Sequence, residues 1–508
     1  MSAREQADAP NSPPGGKYDL LVVGGGINGV GIARDAAGRG LSVLLVEKDD
    51  LASHTSSWSS KLIHGGLRYL EQYEFRLVRE SLEEREVLLT VAAHLVSPMR
   101  FIMPHVPELR PRWMIRVGLF LYDHLGRRAT LPGSHGVSLA APPYNAGLKA
   151  SLKNGFIYSD CRVDDARLVV ANALDARERG AKILTRTTCT SAERRNGLWH
   201  AQLQNRAGGT HETIARAIVN AAGPWVKTVL NEQLHQPSED DVRLVKGSHI
   251  VVPRAYAGEH AFILQNNDGR VVFMIPYETR YTLIGTTDVP VDGDPGRPQA
   301  SDAEVDYLCA AASRYLEKPV SPQDVVWRYA GIRPLYDDGS SDPSAVTRDY
   351  TLRVDAVQNS AAVLSVFGGK ITTYRRLAEH ALEKLAPYFP ELKPAWTASA
   401  ALPGSDFAAG PAAAYAKLRS NRAQLPEEAL RGVFRRHGTL ADRVLGEARN
   451  ENDLGEHFGA GLYACELRYF VEHEWASDTE DLLWRRSKAG LHLTSAQRQR
   501  VTDWLAGA

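Results

Sequence analysis

The stretch from Tyr18 to Glu47 has the residue spacing with the clearest chemical meaning in this chain. An apolar run, YDLLVV, leads into Gly24, Gly25, Gly26, Ile27, Asn28 and Gly29. The helical run GVGIARDAAGRG follows, and a second apolar run, SVLLV, ends at Glu47. A dinucleotide pyrophosphate demands this order. Gly24 permits a tight turn off the strand, Gly26 leaves no side chain to block the phosphates, and Gly29 lets helix and strand pack closely. The helix N-terminus adds free N–H groups and a partial positive charge. Glu47, 23 residues beyond Gly24, is spaced to accept hydrogen bonds from a ribose, and an acid there disfavours a 2′-phosphate. This motif alone does not separate FAD from NAD.

Two further sets of residues carry chemistry. SSKLIHGGLRYL holds Lys61, His64, Arg68 and Tyr69. Its paired glycines allow backbone to approach a planar ring, and Arg68 and Tyr69 suit an anion; a surface turn leading into a helix has the same composition. The second set is basic and Gly-flanked: Lys246 and His249 in KGSHI, Arg333 in YAGIRPL, Arg348 in TRDY and Lys370 in GGKITTYR. Guanidinium forks match phosphate oxygens and Lys supplies a point charge. Each alone reads as a solvated side chain; together, beside a cofactor crevice, they read as a pocket for a small anionic substrate. A neutral imidazole suits proton abstraction near pH 7, which makes His249 the candidate base and His64 the alternative.

The elements that must position these groups are legible in outline. Three strand–glycine junctions, Gly24–Gly29, Ala221–Gly223 and Gly368–Gly369, are far apart in sequence, and a parallel sheet brings such junctions to the carboxyl ends of its strands. A chain that returns twice to one crevice suits a long, extended cofactor such as FAD. Residues 164–180 predict a helix opened by Asp164 and Asp165 and closed by Gly180. Residues 182–204 alternate around Asn196-Gly197, a hairpin turn, and residues 242–290 form several strands of an antiparallel sheet with a turn at 266–269. From about residue 395 the chain is Ala-, Leu- and Arg-rich and reads as helical.

Composition excludes several classes. Lys plus Arg equals Asp plus Glu at 60 each, so no global field attracts nucleic acid. The four cysteines, Cys161, Cys189, Cys309 and Cys465, are scattered and imply neither a disulfide framework nor a zinc site. The first sixteen residues are polar and rich in Pro and Gly, which predicts a disordered tail without a signal-peptide core. No apolar run reaches 18 residues, so no transmembrane helix is expected. Residues 110–128 mix Arg110, Arg112, Arg116, Arg127 and Arg128 with Trp113, Phe120 and Tyr122. Such a helix can lie among lipid headgroups or serve as an ordinary amphipathic core helix.

GGGINGVGIARDAAGRGLSVLLVEK, SSKLIHGGLRYLE, KGSHIVVP, IGTTD, GIRPL, TRDY, FGGKITTYR and the C-terminal EHEWASDTEDLLWRRSKAGL together resemble the FAD-dependent, aerobic respiratory glycerol-3-phosphate dehydrogenases, within the D-amino-acid-oxidase-like flavoproteins. The likeness runs from about residue 17 to the end. It implies FAD as cofactor, glycerol 3-phosphate as substrate, a quinone as electron acceptor, and peripheral attachment to the cytoplasmic face of the inner membrane as a homodimer. It implies a cofactor site of Gly24, Gly25, Gly26, Ile27, Asn28, Gly29, Glu47, Thr55, Ser56, Ser57, Lys61, Leu62, His64, Gly223, Gly369 and Lys370. The substrate would meet Arg68, Tyr69, His249, Thr286, Arg333, Arg348 and Lys370. No EF-hand loop is present in the sequence, and no metal site is expected.

The expected architecture is α/β: a discontinuous Rossmann-like FAD-binding domain (17–95, 160–225 and 325–388), an antiparallel-sheet substrate-binding cap (96–159 and 226–324), and a helical C-terminal domain (389–508). A rival of the same fold is an amine or amino-acid oxidase, which has less need of several Arg and Lys residues. An NAD-dependent dehydrogenase is a second rival, and a non-catalytic flavin-binding protein is a third.

Overall fold

The structure is a computed structural model that describes residues 16–126, 128–337, 349–358 and 360–507. The expected N-terminal tail, apart from Gly16, and Arg127 and Arg348 lie outside the described residues.

The first sheet runs Thr351–Val357, Ser360–Phe367, Thr210–Asn220, Lys17–Val23, Val43–Val46, Lys182–Leu184. The five strands from Ser360–Phe367 to Lys182–Leu184 are parallel, and Thr351–Val357 is antiparallel at the other end of the order. Leu20, Leu21, Val22, Leu44 and Leu45 are fully buried, as strands covered on both faces require. Helices Ile27–Gly38, Asp165–Glu178 and Tyr374–Leu385 cover one face. Strands Thr187–Arg195 and Leu198–Asn205 and the segment 226–234 cover the other. Local chemistry sets these boundaries. The Asp164 carboxylate accepts the Arg167 N–H at the helix start, and Asn196 and Gly197 both take positive φ in the hairpin turn.

The second sheet is mostly antiparallel: Val289–Pro290, Val242–Pro253, Tyr281–Gly285, Val271–Tyr277, Ala261–Gln265, Val96–Pro104, Asn154–Val163, Leu62–Ile63. Its strands come from segments on both sides of the expected boundaries. Sequence order puts Trp327–Tyr336 in the nucleotide domain, yet this strand pairs along its whole length with residues 242–251. Asn154–Val163 is one continuous strand across the expected boundary at 160, and Leu62–Ile63 pairs with its end. Backbone groups buried between layers must find partners, and for these strands the partners are in the second sheet.

Helices Gly410–Asn421, Glu427–His437, Ala464–His473 and Ser495–Gly507 build a C-terminal unit with its own apolar core. Buried ion pairs fasten it to the first domain. Arg167 meets Glu474, and Arg485 Nε and Arg486 Nη1 each reach the Asp50 carboxylate, at 2.7 and 2.8 Å. Asp50 lies three residues beyond Glu47, so the C-terminal unit grips the loop that follows the second strand of the first sheet.

Candidate active site

Register brings the three glycine junctions together. Val23 pairs with Asn220 and Val46, and Asn220 pairs with Ser365, so three of the strands stop at one level and the fourth runs two residues further, to Phe367. Their next residues face a cavity of about 530 Å³ between the two sheets, lined by Gly24, Gly26, Ile27, Asn28, Glu47, Thr55, Ser56, Gly223, Gly369 and Lys370. His249 and Arg333 line it from the second sheet.

The glycine end is built as a cradle. A Cβ on Gly29 would fall 1.9 Å from the Gly24 carbonyl oxygen, so strand end and helix start meet only because the residue is glycine. The Ile27 N–H donates to Ser56 Oγ at 2.9 Å. Glu47 Oε2 accepts the Gly25 N–H at 2.6 Å and Oε1 the Asp49 N–H at 2.8 Å, while burial pushes its carboxyl above the ordinary range. Asn28 Nδ2 donates to the Gly368 carbonyl at 3.3 Å. Its Oδ1 is buried with no hydrogen-bond partner among the described residues. This open-backboned cradle with an orphaned acceptor fits a dinucleotide such as FAD.

The opposite wall carries the candidate base. His249 is 3% exposed and stacks on Tyr329 with ring centroids 4.8 Å apart and planes at 16°. Its Nε2 lies 2.9 Å from Ser60 Oγ, and its Nδ1 has no hydrogen-bond partner among the described residues. Burial, and then the charges of Arg333 and Lys61, push the imidazole down to about 3, so it is neutral at pH 7. Beside it, Arg333 is ion-paired with Asp288, and its Nη2 donates to Thr286 Oγ1 at 3.1 Å and the Thr287 carbonyl at 2.9 Å. Two glycines make room for these side chains. A Cβ on Gly285 would lie 2.1 Å from His249 Cδ2, and one on Gly247 would lie 2.1 Å from Arg333 Nη2. Lys370 Nζ lies 3.9 Å from the Tyr69 ring centroid, a cation–π contact.

Other expected site residues sit elsewhere. Lys61 Nζ is tied to Asp165 Oδ2 and to the Ser57 carbonyl, each at 2.8 Å, and braces the loop from behind. Leu62 packs in the second sheet's core, and the Ser57 hydroxyl donates to the Ala52 carbonyl. Gly25 and Gly29 shape the cradle without lining the cavity. His64 is off the cavity wall; its N–H donates to Thr372 Oγ1 at 3.3 Å, and burial with Lys370 nearby lowers its imidazole to about 4. Arg68 lies on the short turn Leu67–Gln72, half-buried. Sequence reasoning misses Ser60, Tyr329 and Asp288. Ser60 and Asp288 stand inside the motifs SSKLIH and IGTTD, but no local pattern marks them as partners of a His or an Arg.

A parallel sheet ending in a dinucleotide cradle, faced by an antiparallel sheet that brings a neutral imidazole and cations, is the architecture of a nucleotide-cofactor oxidoreductase. The model of the FAD dependent oxidoreductase family matches residues 19–375, and that of the C-terminal domain of alpha-glycerophosphate oxidase matches residues 395–506. The chain is 55% identical to a glycerol-3-phosphate dehydrogenase of Pseudomonas aeruginosa, covering 98% of this chain and 97% of that one. It is 49% identical to a D-erythritol 1-phosphate dehydrogenase of Brucella abortus, covering 96% and 98%. Its fold matches the structure of a glycerol-3-phosphate dehydrogenase from Bacillus halodurans complexed with FAD, at a TM-score of 0.73 and 28% identity over 97% and 94% of the two chains. The chain belongs to the FAD-dependent oxidoreductases and, among them, to the glycerol-3-phosphate dehydrogenase family, with FAD as its cofactor.

Proposed function

We propose that the protein oxidises sn-glycerol 3-phosphate to dihydroxyacetone phosphate and passes the electrons to a membrane quinone. One observation carries the chemistry: Arg333, Lys370 and a neutral, buried His249 line the same cavity as the glycine cradle. The glycine cradle around Gly24, Gly26 and Asn28 would hold FAD, whose flavin would supply the acceptor for the C2 hydride. Arg333 and Lys370 hold the phosphate, with Arg68 as a further cation, and Thr286 helps to orient Arg333. His249, stacked on Tyr329 and with Nε2 within reach of Ser60, takes the C2 hydroxyl proton. The phosphate's negative charge offsets the Arg333 charge that depresses this imidazole, so substrate binding makes the base stronger.

Membrane attachment has its own support. No described helix is long and apolar enough to cross a membrane. The helix Arg112–Leu125 buries Ile115, Leu119 and Tyr122 and exposes Trp113, Met114, Val117, Phe120 and Leu121. Phe75, on the helix Phe75–Val91 that packs against this one, and Tyr73, just before it, are exposed as well. Single exposed apolar residues are ordinary, but a cluster rimmed by Arg110, Arg112, Arg116 and Arg128 suits an anionic lipid surface at the cytoplasmic face of the inner membrane.

The test is anaerobic addition of glycerol 3-phosphate to the purified yellow protein. Bleaching of the flavin and its reoxidation by a quinone analogue are expected. Bleaching by an amino acid instead, or by D-erythritol 1-phosphate but not glycerol 3-phosphate, would refute the assignment.

A further inference from the structure

Arg333 already holds an anion. Asp288 is ion-paired to its Nη1, and neither side chain is fully exposed, at 28% for Arg333 and 18% for Asp288. The segment presenting Asp288 is lashed from behind to a single carboxylate. Thr287 Oγ1 donates to Glu304 at 2.9 Å and accepts the Ser248 N–H at 2.9 Å. Ser248 Oγ reaches Glu304 at 2.8 Å and Lys246 Nζ reaches it at 2.9 Å. Glu304 also closes the capping box of the helix Asp302–Ser313, which anchors the whole arrangement. Asp288 is therefore presented from a fixed framework, next to a residue whose backbone and hydroxyl are both engaged.

We propose that Asp288 is a built-in competitor for the phosphate at Arg333: a carboxylate that holds the guanidinium in the unliganded protein and limits how tightly substrate and product phosphate are gripped. The proposal rests on the reading of Arg333 as a phosphate ligand. A guanidinium gives its full fork to one oxyanion at a time. An arriving phosphate must either take Nη1 from Asp288 or bind the remaining N–H groups with a carboxylate as neighbour. The first route sacrifices an ion pair and the second adds like-charge repulsion, so both weaken binding. A weaker grip lets the phosphorylated product leave. Asp288 acts through Arg333 and is a positioning residue.

Asp288→Asn removes the charge and keeps the shape and an acceptor oxygen for Nη1. Inorganic phosphate is titrated into the oxidised holoenzyme and followed by the perturbation of the flavin spectrum. The variant should bind phosphate about tenfold tighter than the wild type. The Michaelis constant for glycerol 3-phosphate should fall together with kcat, because release slows, while that for glycerol stays the same. Asp288→Glu should restore wild-type values, which a merely structural role does not predict. Asp288→Ser carries the same comparison if the Asn variant folds poorly. If glycerol 3-phosphate fails to bleach the wild-type flavin, the functional reading falls and this inference falls with it. If the wild type is bleached but phosphate affinity in both charge-deleting variants is unchanged or weaker, only the role of Asp288 is overturned.

Discussion

Replacing Gly285 by alanine puts a methyl group 2.1 Å from His249 Cδ2 and 2.7 Å from its Cγ and Nε2. Non-bonded carbons rest at about 3.5 Å or more, so the ring must retreat by roughly 1.4 Å. It has little room, since it lies 4.8 Å from the Tyr329 ring and its Nε2 is 2.9 Å from Ser60 Oγ. A shift of that size takes the Ser60 contact beyond hydrogen-bond reach and moves the imidazole out of its place on the cavity wall. A misplacement near 1 Å costs about a hundredfold in rate, so the rate constant for flavin reduction by glycerol 3-phosphate should fall about a hundredfold. Flavin content should hold, because Gly285 belongs to the second sheet and the cradle to the first. Anaerobic stopped-flow at saturating substrate measures the rate, and the visible spectrum measures the flavin. A variant that keeps its flavin and is reduced within about threefold of the wild-type rate would remove His249 as the base.

Three further outcomes are expected. Gly29→Ala drives a methyl against the Gly24 carbonyl oxygen, 1.9 Å away, so the protein should purify without bound FAD; a normal ratio of flavin absorbance to protein would contradict the cradle. Arg486→Met leaves Asp50 with a diminished partnership in a buried site, and breaking such a pair costs about 3–5 kcal/mol, read from urea unfolding. A loss below about 1 kcal/mol would show that Arg485 alone suffices there. His249, whose folded-state value of about 3 lies below the ordinary 6.5, contributes to the pH dependence of stability alongside His64, His94 and His260, which burial also lowers. The unfolded chain takes up a proton that the folded protein refuses, so this stability is complete above the unfolded value and is lost as pH falls below it. At one unit below, the loss from this one group is about 1.4 kcal/mol, and His249→Asn should make that part of the profile shallower by that amount.

Much of the site can be read along the chain because its requirements are local. The strand–glycine–helix order around Gly24–Gly29, the acid at Glu47, the Asp164 cap and the Asn196-Gly197 turn each depend on short stretches of chain with their own signals. Pairing is harder to read. GIRPL and KGSHI stand out as basic, Gly-flanked segments, yet nothing in either indicates that Trp327–Tyr336 joins the second sheet rather than the first. The motif around Lys61 suggests a cofactor ligand, but its charge is consumed by Asp165, 104 residues away. Asp288 has no local signal because its partner lies 45 residues on.

The sequence by itself determined where backbone must bend, where helices begin and which segments are buried, because glycine conformation, capping and apolar periodicity act over a few residues. It also determined the cofactor class once several motifs were taken together. Only the tertiary structure decided which charges are available for chemistry. Register aligned Val23, Asn220 and Ser365 at one crevice, set His249 against Tyr329 and Ser60, and gave Arg333 to Asp288. The physical reason is distance: an ion pair or a ring contact acts over a few ångströms of space, whatever the separation along the chain.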